Sequence, residues 1–317
     1  MLKLFSTVAT TFLIAAGTLW ARYPTTLKID DNYKNWAQAT TSGRVESALF
    51  GMTRNAGTRF HEGIDIKTQT RMNTGEPRDI VYSVAAGTVA HISTKNNGSY
   101  GRYIVMRHEQ NGLEIYTLYG HLSAISPLAK IGKKIPENTI IGLVGRTSTV
   151  YQISKETAHL HFEVGLALGG NGFDHFMKRK FGEGSNLHGH NNGFNLVGAD
   201  PISFFKFKNF NAWFKNFKSD FCAIVPVANV PELQTRCPAL FEKNPNGNAW
   251  RVHFTWFGLP IKFEKINVPA SDKIIIESIV PANKKFAVAR KTLTANGNAG
   301  ETLLNYINII FDSNFKQ

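Results

Sequence analysis

The chain has 317 residues, which is long enough for two domains with a substantial hydrophobic core. It carries 36 Lys and Arg against 23 Asp and Glu, a formal net charge of +13. This charge favours contact with polyanions, which outside a bacterial cytoplasm are cell-wall polymers or lipid head groups, although it also serves solubility. No DNA- or RNA-binding motif accompanies it, so the sequence predicts no nucleic-acid partner.

The first 21 residues have the pattern of an export signal. Lys3 precedes an apolar run over residues 4–16 that is too short to span a bilayer, and small residues at 15–17 or 19–21 offer cleavage sites. We therefore predict a signal peptide at 1–21, a linker at 22–43 and no transmembrane segment in the mature chain. The expected location is periplasmic or secreted.

Residues 44–168 contain short apolar or alternating runs separated by Gly, Asn and Pro. This spacing is typical of an antiparallel sandwich or barrel-like sheet and not of a helical or parallel fold. We predict strands at 80–84, 88–92, 103–107, 113–118, 140–144 and 159–164.

The last of these runs lies within AHLHFEVG, residues 158–165. It places His159, His161 and Glu163 on one face of a strand, because side chains two residues apart share a face. A buried polar group without a partner costs about 1–3 kcal/mol, so this face should meet a metal, a substrate or water. Taken alone, the pattern favours an exposed sheet face, because H-x-H is a weak signal.

Residues 169–198 are rich in Gly and Asn and have little periodicity, which predicts a long surface loop. The loop contains a second H-x-H pair, His188 and His190, for which we predict no metal role because no strand holds the pair. Asp200 and Pro201 then match a helix N-cap followed by Pro at the first helical position.

Phenylalanines at spacings of three and four, interspersed with lysines, predict one basic amphipathic helix after Pro201. Its apolar stripe suits packing between two domains, the more usual role, or binding to a membrane surface. The stripe consists of Phe207, Phe210, Phe214, Phe217 and Phe221.

Residues 208–317 return to strand patterns, at 250–256, 261–266, 273–279, 286–290 and 306–311. They predict a C-terminal β-rich domain of unknown role, in which His253 is an ordinary sheet residue. Cys222 and Cys237 are the only two cysteines, and in an exported protein such a pair usually forms a disulfide, worth about 3 kcal/mol in the chain-entropy model. Two free thiols are the alternative.

Three segments of the first domain carry histidines and a carboxylate. FHEGIDI contains His61 and Asp65, which share a face if the segment is extended, LYGHLS contains His121, and HLHFEV contains His159 and His161. Two His and one carboxylate suit a catalytic Zn²⁺ with an open fourth position, at which the pKa of water falls to about 7. Two further imidazoles beside it would transfer protons or stabilise an anionic intermediate.

From about residue 50 to 164 the sequence resembles the lysostaphin-type (LytM-like) zinc endopeptidases, which cleave peptide bonds of bacterial peptidoglycan. The resemblance rests on RFHEGIDI, VYSVAAGTVAHI, SYGRYIVMRHEQNG, YGHLS, IGKKIPENTIIGLVG and HLHFEV, in this order, with ADP at 199–201 as a matching tail. It implies a mainly β protein: an antiparallel β-sheet peptidase domain at 44–207, which includes the loop at 169–198, followed by a helix and a smaller C-terminal β-rich domain at 208–317.

The resemblance also implies roles for individual residues. It implies one Zn²⁺ per chain, with His61, Asp65 and His161 as its ligands. His121 and His159 correspond to the catalytic pair beside the metal-bound water.

Two further side chains are candidates for supporting roles. Tyr100 corresponds to a tyrosine whose hydroxyl stabilises the transition-state oxyanion, with Tyr103 three residues away. Glu163 is a candidate to orient an imidazole; the alternative is an ordinary solvated carboxylate. His91 and His108 match no motif and receive no role.

The sequence departs from the family in two loops. The connection at 145–159 is longer than usual and has Ala158 where the family has Gly-Pro, and the excursion at 169–198 is also long. Both should border the groove and affect substrate preference more than chemistry.

The sequence thus predicts an exported zinc metallo-endopeptidase that acts on peptidoglycan cross-links or stems. The alternatives are a non-catalytic LytM-like activator or binding protein for a cell-wall amidase, and a protease for protein substrates.

Overall fold

A computed structural model describes residues 22–207, 209–243 and 246–316 of the chain. The fold is mainly antiparallel β, as predicted. The predicted signal peptide at 1–21 lies outside the described residues, as does Lys208 of the predicted amphipathic helix. Within the described ranges, the helices are all too short or too polar to cross a bilayer.

Strands dominate residues 51–167, and short helices become frequent after them. The strands are β1 (Gly51–Arg54), β2 (Arg59–His61), β3 (Ile64–Lys67), β4 (Ile80–Tyr82), β5 (Gly87–Asn97), β6 (Gly101–Gln110), β7 (Leu113–Gly120), β8 (Ala124–Ile125), β9 (Lys134–Ile135), β10 (Ile140–Leu143), β11 (His159–Ala167), β12 (Leu196–Ala199), β13 (Phe221–Val225), β14 (Ala249–Phe254), β15 (Pro260–Ile266) and β16 (Ile275–Glu277). The helices are α1 (Asn171–Phe181), α2 (Pro201–Lys206), α3 (Phe210–Lys215), α4 (Leu233–Arg236), α5 (Pro281–Ala289) and α6 (Glu301–Ile310). Single 3₁₀ turns lie at Tyr33–Asn35, Val45–Ala48, Asn55–Gly57, Gly189–Asn191 and Pro238–Leu240.

The main sheet has the order β12-β11-β7-β6-β5-β9, with β3 also paired to β11, and its pairs are antiparallel. Strand β11 has β7 on one side and β3 followed by β12 on the other, so every residue of this strand is buried. The strands predicted between residues 80 and 164 are all confirmed. Two of them, β4 and β10, lie in the small sheet β4-β10-β8, and the others lie in the main sheet.

The C-terminal part forms a second antiparallel sheet of order β15-β14-β13-β16. The predicted strands near 250, 261 and 273 are confirmed, but those at 286–290 and 306–311 are wrong because α5 and α6 contain all but the last residue of each run. Pro281 at the first helical position favours the start of α5. Helix α6 is buried at nearly every position from Leu303 to Ile310, and this packing in the core outweighs the β-branched composition.

The predicted amphipathic helix is broken into two. The N-cap prediction is confirmed, since the Asp200 carboxylate accepts hydrogen bonds from two backbone N–H groups at the start of α2. Helix α2 ends just before Phe207, whose backbone is extended. The Asn209 side chain then caps a second helix, α3, and strand β13 follows it. The stripe packs in the core, with Phe217 against Phe257 of the C-terminal part, which agrees with the packing alternative.

The segment 169–198 is not the irregular loop that its composition predicts. It contains α1, which buries Phe173, Phe176 and Met177, and it ends in β12 beside β11. Gly172 serves close packing: a Cβ there would lie 2.4 Å from the carbonyl oxygen of Ile309 in α6. The glycine therefore marks a helix contact and not a flexible loop.

Two further expectations differ from the structure. The predicted linker at 22–43 packs into the core through Ile29 and Trp36, both almost fully buried. The two cysteines are buried and not joined, so the predicted disulfide is wrong: Cys222 Sγ lies 3.4 Å from His253 Nδ1, and Cys237 donates to a backbone carbonyl on β7. His253 lies in β14, as predicted.

One hydrophobic core runs through both sheets. Phe50 and Phe60 of the first part pack edge-on against Phe257 and Trp256 of the second, with ring centroids 5.1 and 5.8 Å apart. The boundary at 207/208 stays a prediction, since the packing is continuous across it.

His108 gives the fold a predictable sensitivity to acid. It is buried in β6, where its ring nitrogens lie 2.9 Å from Ala86 O and 2.8 Å from Thr117 Oγ1, and burial lowers its pKa from 6.5 to about 4. Between pH 4 and 6.5 the His108 imidazole is therefore protonated in the unfolded chain more than in the folded chain. The free energy of unfolding falls as the pH falls from 6.5 to 4, by up to about 1.4 kcal/mol per pH unit. Chemical denaturation at several pH values should show this slope, and His108→Gln should flatten it; an unchanged slope would contradict the assignment.

Candidate metal centre

Three potential metal ligands converge from three strands. His61 ends β2, Asp65 lies in β3, and His161 lies directly opposite Asp65 in the β3–β11 pair. His161 Nδ1 lies 3.0 Å from Asp65 Oδ1 and 3.2 Å from His61 Nε2, and His61 Nε2 lies 3.3 Å from Asp65 Oδ1. In the described residues this is the one group of three or more such side chains with ligand atoms within 4.8 Å of one another.

Gly63 allows this convergence. The turn between β2 and β3 passes against β11, and a Cβ at residue 63 would lie 2.2 Å from the carbonyl oxygen of Phe162. Only glycine leaves room for that approach. The glycine of the FHEGIDI motif therefore brings His61 and Asp65 against the strand that carries His161.

Each of the four central imidazoles is oriented by an acceptor on its outer nitrogen. Nδ1 of His61, His121 and His159 donates to the backbone carbonyls of residues 49, 147 and 157, at 2.9, 2.8 and 2.7 Å. Nε2 of His161 donates to Glu163 Oε1 at 2.8 Å. Because carbonyl and carboxylate oxygens only accept, each outer nitrogen carries a proton, and the inner nitrogens face the ligand group, where each can bind a metal or a proton.

The donor set fits a divalent cation. Two imidazole nitrogens and one carboxylate oxygen suit Zn²⁺. Positive charge already lies against these donors: Arg54 Nη2 is 2.9 Å from His61 Nε2 and also contacts Asp65 Oδ2. Burial alone would raise the pKa of Asp65, but His159, His61 and Arg54 outweigh it and hold that pKa well below its usual value.

Glu163 is the carboxylate behind His161. It is fully buried and accepts hydrogen bonds from the hydroxyls of Tyr100 and Tyr116, at 2.7 and 2.8 Å, as well as from His161. The alternative of a solvated carboxylate is therefore wrong. Burial and the Glu163 charge raise the pKa of Tyr100, so its hydroxyl stays protonated and able to donate.

His121 and His159 form a close pair beside the three potential ligands. Their ring centroids are 4.8 Å apart, and His159 Nε2 lies 3.6 Å from Asp65 Oδ1. Burial lowers the pKa of both, most for His121, so both are neutral at neutral pH and can accept a proton. His121 also has a φ of 61°, a conformation that non-glycine residues rarely adopt and that is enriched at functional sites.

A cavity of about 810 Å³ opens onto the centre. Its wall includes both loops that depart from the family, through residues 151–153 and 192–194, as expected. It also includes residues that the sequence did not single out: Arg54, Arg290, Thr302, Asn305 and Tyr306. Four of these lie in the C-terminal part, and no sequence motif marks them because their position depends on how the two sheets pack.

The remaining histidines lie outside the three-ligand group. His188 lines the cavity near His91 and Tyr103, with ring centroids 6.1 and 5.5 Å away. His190 pairs with Asp174 at 2.8 Å on the surface. The Tyr103 hydroxyl donates to the carbonyl of Asn191 and not to Glu163.

Residues 59–172 match the model of peptidase family M23. No curated protein matches the chain. Solved structures with partial similarity include a zinc-containing peptidase from Vibrio cholerae, 28% identical over 46% of this chain and 36% of that chain, with a TM-score of 0.31. The catalytic domain of lysostaphin from Staphylococcus simulans is 20% identical over 55% and 96%, with a TM-score of 0.33. The catalytic domain of a mutant of the prophage-encoded M23 protein EnpA from Enterococcus faecalis is 21% identical over 41% and 80%, with a TM-score of 0.30.

The match includes β2, β3 and the strands from β4 to β11, and therefore all three potential ligands and the histidine pair. The chain spans only 36% of the length of the Vibrio cholerae peptidase. The lysostaphin-type resemblance read from the sequence is confirmed by this match of residues 59–172 to the model of peptidase family M23.

Proposed function

We propose that this protein is an exported zinc metallo-endopeptidase that hydrolyses peptide bonds of bacterial peptidoglycan, in cross-links or stems. The observation that supports it most is the close grouping of His61, Asp65 and His161, with two further neutral imidazoles beside them and all four imidazoles lining one cavity. The M23 match and the export pattern of residues 1–21 add to it. The net charge of +13 would hold the enzyme near anionic polymers of the cell envelope.

Zinc, one ion per chain, would be held by His61 Nε2, Asp65 Oδ1 and His161 Nδ1. When bound, it supplies the Lewis acidity that activates water and polarises the scissile carbonyl. Glu163 keeps the His161 ring in place and keeps its proton on Nε2, away from the metal-facing nitrogen.

The other groups transfer protons and stabilise charge. His121 and His159 each have the inner nitrogen free, so one takes a proton from the attacking water and the pair returns a proton to the leaving amine. We propose Tyr100 as a donor to the developing oxyanion. Its hydroxyl must then leave Glu163 Oε1, 2.7 Å away, during the reaction.

The alternative is a non-catalytic activator or binding protein for a cell-wall amidase. Such a protein needs the groove but not the ligand set, and the enzyme is supported by the three potential ligands within 4.8 Å of one another and by the close pair of His121 and His159. The deciding experiment measures zinc in the purified protein and then incubates it with purified peptidoglycan, with mass spectrometry of the released fragments. Fragments cut at peptide bonds support the enzyme. Absence of zinc uptake and of fragments, with stimulation of an amidase, would establish the alternative.

Substitutions of the two histidines of β11, His159 and His161, should have different effects on zinc content and on hydrolysis. His161→Ala should lose both zinc and hydrolysis, because it removes a ligand. His159→Ala should keep most of the zinc and lose about 10²–10⁴-fold in rate, because it removes a proton-transfer group. Metal analysis of each variant alongside the rate of wall hydrolysis checks this, and hydrolysis that survives both substitutions would refute the proposed mechanism.

Glu163→Gln should weaken zinc binding by about 10- to 100-fold, because the amide no longer accepts a strong hydrogen bond from His161 Nε2. Competition with a chromogenic chelator measures the affinity. Glu114→Gln is the matched control, since Glu114 pairs with Arg236 and does not line the cavity. Equal zinc affinity for wild type and Glu163→Gln would assign Glu163 to structure alone.

Arg54→Ala should strengthen zinc binding. The guanidinium lies against His61 Nε2, which the ion needs, and against the second carboxylate oxygen of Asp65, so the two cations compete. The chelator competition assay should show a lower zinc dissociation constant for the variant. Unchanged or weaker binding would show that Arg54 supports the ligands and does not compete for them.

A further inference from the structure

The wall of the cavity is cationic. Its charged residues, apart from histidines, are Arg44, Arg54, Arg59, Arg290 and the single acidic residue Glu62, among the residues that the structure describes. A cavity with this balance attracts an anionic ligand and not a cationic or neutral one.

Arg290 differs from the other three because it comes from the C-terminal part and is largely buried. It follows α5, its side chain is only 16% exposed, and its guanidinium carbon lies over Phe60, 3.8 Å from the ring centroid. Phe60 directly precedes His61 in β2. Arg290 and His61 line the same cavity although they are 229 positions apart in the sequence.

The hydrogen bonds of Arg290 are incomplete. One Nη donates to the hydroxyl oxygen of Tyr306 at 3.0 Å and the other to Glu62 Oε1 at a long 3.4 Å. Its Nε–H is buried and has no partner among the described residues. A guanidinium presents five donors in a planar fork, and leaving a buried donor unpaired costs free energy. The group is thus arranged to accept a further planar anion.

We propose that Arg290 binds a carboxylate of the peptide substrate, so that the C-terminal part selects peptides with a free carboxylate. The substrate carboxylate replaces Glu62 on the fork and forms the bidentate pair that Arg favours. Tyr306, whose oxygen accepts from Arg290, still has its O–H to donate to the same carboxylate. The identity of the substrate as a peptide rests on the proposed function, whereas the carboxylate preference rests on Arg290 itself.

Calorimetry tests the preference on the full chain carrying His159→Ala, loaded with zinc, so that binding is measured with little cleavage. The probe is a synthetic peptidoglycan stem tetrapeptide, with its carboxylates free or amidated. The free acid should bind at least about tenfold more tightly than the amidated form, because charge-assisted pairs are strong.

Arg290→Gln should abolish this ratio of affinities, and Arg290→Lys should keep part of it. Arg59→Gln, which removes the same charge from an exposed part of the wall, should leave the ratio intact. Equal binding of both forms, or a ratio that survives Arg290→Gln, overturns the proposal.

A second variant acts in the opposite direction and does not remove the buried arginine. Glu62→Gln takes away the carboxylate that competes for Arg290, so it should tighten binding of the free acid by about threefold or more and leave the amidated form unchanged. Unchanged or weaker binding of the acid also overturns the proposal. If the wild type shows the preference but releases no wall fragments, the proposed function fails and the carboxylate site stands. If it releases fragments without any preference, only the carboxylate site fails.

Discussion

The whole site depends on the antiparallel pairing of β11 with β3. This register sets His161 directly opposite Asp65, and the period of two along β11 puts Glu163 on the same face. The His161 ring is therefore held between two buried carboxylates, and its pKa rises to about 9 because its hydrogen bonds to Asp65 and Glu163 outweigh the effect of burial. A slip of one residue would turn all three side chains to the other face and abolish the centre. The strand is thus constrained by chemistry as much as by packing, which accounts for polar residues in a fully buried segment.

The C-terminal part is an extension of the peptidase fold in packing terms. Its aromatic residues share one core with the main sheet, and α6 and the end of α5 supply part of the cavity wall. The M23 match ends at residue 172, so these walls are a feature that the family match does not include. A shared core holds Arg290 and Tyr306 at a fixed distance from the ligands, which a flexibly tethered domain could not do.

Sequence reasoning was most successful where local pattern and geometry agree. The strands of the first domain and the Asp200 cap follow from the residues, because strand periodicity and helix capping depend on neighbouring positions. The same motifs predict the grouping of His61, Asp65, His121, His159 and His161. It failed where tertiary contacts outweigh composition. The Gly-rich segment after 168 contains α1, in which Gly172, like Gly169 just before it, serves close packing with α6. The β-branched run near 306 is helical because α6 is buried on nearly every side in the core.

The sequence by itself determined which residue types meet at the candidate centre: the potential ligands, the paired imidazoles and the strand that carries three of these histidines and carboxylates. Only the tertiary structure decided what surrounds that chemistry. Glu163 is a buried acceptor and not a solvated acid, Tyr100 is bound to it, and Arg54 and Arg290 come to the cavity from segments without any motif. The physical reason is range: ligand types and strand periodicity are written in neighbouring residues, whereas burial, hydrogen-bond partners and the charge of a cavity arise only when distant segments pack together.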